Sequence, residues 1–139
     1  MNEKGATPIT SSGKRLAGGA KQRVLIVDDS PRVRQELQTL LPLAGDIEIV
    51  GEAADGLEAL RLAKALQPDV ILLDLQMPVM DGYQAAGQIK AACPSCRVVA
   101  LTVYGDPASQ NRAAEAGVDL FLVKGVSVES LVQAISGRA

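Results

Sequence analysis

From residue 22 onward, short apolar runs alternate with segments in which apolar residues recur at helical spacing. The runs are Val24-Leu25-Ile26-Val27, Ile47-Glu48-Ile49-Val50, Val70-Ile71-Leu72-Leu73, Val98-Val99-Ala100-Leu101 and Leu120-Phe121-Leu122-Val123. Four are almost unbroken, which predicts parallel strands buried on both faces. The second, broken by Glu48, belongs at an edge. Between the runs, Val33, Leu37, Leu40 and Leu41 fall on one helical stripe. Ala59, Leu62, Ala63 and Leu66 form another, and Val128, Leu131, Val132 and Ile135 a third. Ser30-Pro31 and Asp106-Pro107 each pair a capping side chain with proline at the first helical position. Gly45 and Gly117 stand where helices must stop. Five β-α units result, and they predict a doubly wound α/β domain over residues 21–139 with helices on both faces of a parallel sheet. Residues 1–20 show no apolar period and read as a flexible tail.

Composition narrows the function. A chain of 139 residues has room for one domain with a real core. It carries 14 basic and 16 acidic residues, and residues 21–139 alone have a net charge of −4, which makes the domain a poor DNA binder. Three aromatic residues and no tryptophan give no stacking surface for single strands. Direct nucleic-acid binding is therefore not expected. No apolar stretch is long enough for a membrane span, and no secretory signal opens the chain. The absence of histidine removes imidazole as ligand, base or phosphoryl carrier. Cys93 and Cys96 are too few for a disulfide framework, so a cytoplasmic location is expected. Their CxxC spacing falls between a helix end and the fourth strand, and it reads as incidental loop cysteines rather than a redox or zinc site.

In an open α/β sheet the functional crevice lies beyond the carboxyl ends of the strands. There the sequence places Asp28-Asp29, Asp74, Thr102 and Lys124, after the first, third, fourth and fifth runs. Each alone has an ordinary explanation: a cap, a β-branched strand end, a solvated lysine. Together they form one rim. Like charges about 4 Å apart repel by roughly 4 kcal/mol at an effective dielectric of 20, and one lysine cannot neutralise three carboxylates. Mg2+ can, and it favours oxygen ligands and phosphate. Asp74 then reads as a nucleophile forming an acyl phosphate. Asp29 reads as a direct metal ligand, Asp28 as a water-mediated one, Lys124 as the cation for phosphoryl oxygens and Thr102 as a hydroxyl donor.

The segments VLIVDDS (Val24 to Ser30), PDVILLDLQMPVMDG (Pro68 to Gly82), VALT (Val99 to Thr102) and AGVDLFLVK (Ala116 to Lys124) resemble the receiver domain of bacterial response regulators. The resemblance covers nearly all of residues 22–137. It implies a flavodoxin-like fold of strand order 2-1-3-4-5 and phosphorylation of Asp74 by a sensor histidine kinase or a phosphotransfer protein. It also implies an acidic Mg2+ pocket of Asp28 and Asp29, with the Gln76 backbone carbonyl as a further ligand. Thr102, Lys124 and Phe121 resemble the switch hydroxyl, the lysine and the switch aromatic, though Phe121 could equally be plain core filling. Gln76 and Tyr104 flank the expected phosphoryl group, and Tyr104 is expected to shield it from water. The resemblance makes the chain a signalling phospho-acceptor rather than an enzyme, with a switchable partner face formed by the fourth helix, fifth strand and fifth helix and a homodimer through it as one use. GEAADGLEAL and LTVYGDP most resemble receivers joined to LuxR-type helix-turn-helix domains. No such domain is expected within these residues, so the chain is a stand-alone receiver or part of a longer regulator. Gly125 stands where many receivers have proline, so an unusual backbone angle is expected there.

Two other readings compete. A flavodoxin-like electron carrier would share the strand order, but Asp28-Asp29 would repel a flavin phosphate. A degenerate receiver would serve as a scaffold without phosphorylation.

Overall fold

The computed structural model describes residues 21–137 apart from Pro78, so the tail expected over residues 1–20 lies outside the described residues. The five runs form strands β1 (Gln22–Val27), β2 (Ile47–Ala53), β3 (Val70–Asp74), β4 (Arg97–Thr102) and β5 (Leu120–Val123). They pair in parallel in the order β2-β1-β3-β4-β5. The helices are α1 (Pro31–Ala44), α2 (Gly56–Leu66), α3 (Gly82–Ala92), α4 (Pro107–Glu115) and α5 (Val128–Ser136). This is the flavodoxin-like α/β architecture. Ser30 and Asp106 cap α1 and α4 as their sequences predict, each accepting a backbone N–H three residues on.

Two apolar layers flank the sheet. One gathers Leu25, Val27, Ile71, Leu73, Val98 and Ala100 under α2 and α3. The other gathers Val24, Ile26, Leu72, Val99 and Leu101 under α1 and α5. Central strands buried on both faces therefore read as continuous apolar runs. β5 departs from that expectation. It is the second edge, and its four residues are half-buried or exposed. Leu40 also leaves its stripe, at 45% exposure, because α1 turns Leu41 into the core instead.

The cysteines are the clearest correction. Cys93 caps α3, and the Cys96 N–H donates to the Cys93 carbonyl at 3.0 Å, a tight turn that folds both side chains inward. Both are fully buried and joined as a disulfide, so they are core residues rather than incidental loop thiols.

Candidate functional site

The strand ends converge as the sequence predicts. Asp28 follows β1, and its position is fixed at every polar atom. Its N–H donates to the Ala53 carbonyl at 3.1 Å, and Oδ1 accepts from the Ser30 N–H at 2.9 Å. Its Oδ2 accepts from Lys124 Nζ at 3.1 Å, and its carbonyl accepts from Arg34. Asp29, the next residue, is exposed. Asp74 ends β3 and is 4% exposed, Asp28 3%. Carboxylate oxygens of Asp28, Asp29 and Asp74 lie within 4.8 Å of one another. Lys124 Nζ stands 3.6 Å from Asp74 Oδ2, so one ammonium serves two buried carboxylates.

That imbalance appears in the protonation of the site. Burial pushes the Asp74 carboxyl up to about 6, opposed by the Gln76 N–H it accepts from, and reinforced by the Asp28 and Asp29 charges over the pull of Lys124. Burial draws the Lys124 ammonium down, but its hydrogen bond to Asp28 and the attraction of Asp74 and Asp28 outweigh this and raise it. An all-oxygen donor set with more charge than its own lysine can match fits a hard divalent cation.

Thr102 ends β4 fully buried. Its hydroxyl donates to the Gln76 side-chain oxygen at 2.6 Å and accepts from the Tyr104 N–H at 3.2 Å. The Gln76 N–H in turn donates to Asp74 Oδ1 at 3.0 Å. Gln76 thus bridges the Asp74 carboxylate, through its backbone N–H, and the Thr102 hydroxyl, through its side chain, and its sequence position did not disclose this link. Phe121 is half-buried on β5, opposite Ala100 and packed against the α2–α3 side core. Tyr104 is 56% exposed. Its backbone joins the site more closely than its ring does.

The loop after Asp74 is tightly constrained. Gly82 opens α3 and donates its N–H to the Leu75 carbonyl at 3.1 Å, and a Cβ there would run into Leu75 and the Asp74 carbonyl. Val79 in the same loop has φ of 71°, a left-handed conformation that a β-branched residue adopts under strain. Gly125, next to Lys124, has φ of 103° with open space around it, which is the freedom its identity predicts.

Residues 24–136 match the family described as response regulator receiver domain. The VraR response regulator of Staphylococcus aureus is 42% identical over 113 residues, 81% of this chain and 54% of that protein. The chain thus spans about half the length of the curated relatives it matches. The receiver domain of the response regulator NarL from Mycobacterium tuberculosis superposes with a TM-score of 0.80 at 38% identity, covering 84% of this chain and 94% of that one. A LuxR-family DNA-binding response regulator from Staphylococcus aureus superposes at 0.78 with 30% identity, covering 84% of this chain and 97% of that one.

Proposed function

The chain belongs to the response regulator receiver domain family of two-component signalling, and from that membership we propose that it accepts a phosphoryl group on Asp74 with Mg2+ in the acidic pocket. The donor is a phosphohistidine on a sensor histidine kinase or phosphotransfer protein. The observation that carries this reading is the buried Asp74 carboxylate, grouped with Asp28 and Asp29 beside a single lysine.

An Asp74 oxygen attacks phosphorus, a P–O bond forms, and the donor's P–N bond breaks with its electron pair leaving on the imidazole nitrogen, which takes up a proton. Asp28, Asp29, Asp74 and the Gln76 carbonyl would hold Mg2+, whose charge offsets that of the incoming phosphoryl oxygens. Lys124 turns from Asp28 toward those oxygens. Thr102 exchanges its bond to Gln76 for one to phosphate, since a charged acceptor forms the stronger hydrogen bond. No side chain is needed as a base.

Movement of Thr102 frees space into which Phe121 turns, and the surface of α4, β5 and α5 changes with it, a shift between two packings. The light anchoring of α4 favours this. Its buried contact is Ala113, supplemented by Arg112, which pairs with Asp81 at 3.7 Å and lies 3.9 Å above the Tyr83 ring. That face is the proposed partner surface, with a second copy of the chain as one partner. The reading makes the domain a cytoplasmic signalling acceptor rather than an enzyme or a DNA-binding module.

The test is intact-mass analysis after incubation with acetyl phosphate and Mg2+. Wild type should gain one phosphoryl group, while Asp74→Asn and chelator-treated wild type should gain none. A mutant labelled at the wild-type rate would show that another residue is the acceptor. An unlabelled wild type would favour the scaffold reading.

A further inference from the structure

We infer that Arg34 is a positioning residue for the acidic pocket: by holding the Asp28 carbonyl it sets where the Asp29 carboxylate stands toward a divalent cation, and Glu52 on the edge strand holds Arg34 in place. The inference rests on the reading above that this pocket takes Mg2+.

Arg34 lies on the second turn of α1, and its side chain is largely covered at 15% exposure. Its Nη1 donates to the Asp28 carbonyl at 2.6 Å, and its Nε donates to Glu52 Oε1 at 2.6 Å. Gln38, one turn further along α1, donates to the other Glu52 oxygen at 2.5 Å. These hydrogen bonds, Arg34's foremost, hold the Glu52 carboxyl below the usual carboxylate range, so the anchor stays ionised. One planar guanidinium thereby spans from the edge of the sheet to the backbone of the pocket, a fork that lysine cannot reproduce.

The bond to Asp28 matters through its neighbour. The Asp28 carbonyl and the Asp29 nitrogen share one rigid peptide plane, so holding that carbonyl holds the Asp29 nitrogen and Cα from which its side chain departs. Asp28 has three further restraints, from Ala53, Ser30 and Lys124. The exposed Asp29 carboxylate, by contrast, accepts no hydrogen bond among the described residues. Its backbone is what places it. A partner one bond behind a ligand commonly governs metal affinity in this way.

A simple charge effect has the opposite sign. If Arg34 acted on the pocket as a nearby cation, removing it would make the site more attractive to Mg2+. Calorimetric titration of Mg2+ into wild type, Arg34→Lys, Arg34→Met and Glu52→Gln separates the two, with each variant's Tm recorded. The expected result is affinity weakened about 10-fold in Arg34→Lys and Arg34→Met and about threefold in Glu52→Gln, in proteins that remain folded at the titration temperature. Arg34→Lys binding Mg2+ as wild type does, or Arg34→Met binding it more tightly, overturns the inference. If Arg34→Met does not fold, Arg34→Lys carries the test, because it keeps the charge. Wild type failing to take up Mg2+ removes the metal reading and this inference together. Wild type binding Mg2+ with every variant its equal removes this inference alone.

Discussion

The two ends of the sheet use the same residue type for opposite purposes. At the amino ends of the strands, Asp69 and Asp119 each stand one residue before a strand. Asp69 accepts the Arg23 N–H at 2.8 Å, and Asp119 accepts the Val98 N–H at 2.7 Å and the Lys90 ammonium at 3.0 Å. Their own N–H groups donate to the Arg23 and Val98 carbonyls. Each carboxylate closes the end of a neighbouring strand through a backbone N–H, and the Asp119 charge is also met by Lys90. At the carboxyl ends, Asp28, Asp29 and Asp74 crowd together around Lys124. Carboxylates bonded to strand N–H groups hold a sheet together. Surplus ones mark the place proposed for a cation and a phosphoryl group.

The contrast is broken most completely by Asp74→Asn, which should abolish phosphoryl acceptance. The same change should stabilise the fold. An Asp74 carboxyl titrating near 6 in the folded chain, against 3.8 ordinarily, binds its proton more tightly folded than unfolded. Its ionisation therefore costs stability, beginning as pH rises past the ordinary value and complete above 6. Without Mg2+, thermal melts should show Asp74→Asn gaining about 5 °C at pH 8 and much less at pH 4.5. Equal gains at both pH values would mean that the charge is not the cost.

Asp119→Ala probes the other end. It should lose about 2 kcal/mol in urea titrations, because the Val98 N–H and Lys90 lose a charged acceptor. Its Mg2+ affinity and phosphoryl uptake should equal those of wild type. A change in either would deny that the two ends are independent.

Val79→Asn should sharpen the contrast by relieving strain beside the acceptor, with a gain of about 1 kcal/mol, since asparagine tolerates the left-handed conformation. The smallest effect is expected from Tyr104→Ala. If the half-exposed ring shields the acyl phosphate, hydrolysis measured by loss of the labelled mass should quicken about threefold. An unchanged rate would leave Tyr104 with its backbone contact to Thr102 alone.

Much of this was legible in the chain. Continuous apolar runs gave the strands, and a parallel sheet necessarily brings their carboxyl ends to one rim. Asp28, Asp29, Asp74, Thr102 and Lys124 could therefore be grouped across a span of nearly 100 residues. The exposure of β5 was hidden because an edge strand with Leu120 and Phe121 reads like a central one. The burial of Cys93 and Cys96 depends on a turn whose direction the CxxC spacing leaves open. Arg34 and the bond between Gln76 and Thr102 were missed for a different reason. Arg34 and Gln76 are joined to Glu52 and Thr102 by tertiary packing, and no local period announces such a pair. Val79 broke a local rule, as residues in a constrained functional loop do.

The surplus of negative charge around Asp74 can be read directly from its own carboxyl group by 13C NMR, followed against pH with and without Mg2+. The account predicts a midpoint near 6 in the metal-free protein, displaced below the ordinary carboxylate value once Mg2+ is added. A metal-free midpoint at the ordinary value, or one that Mg2+ leaves unmoved, would contradict it.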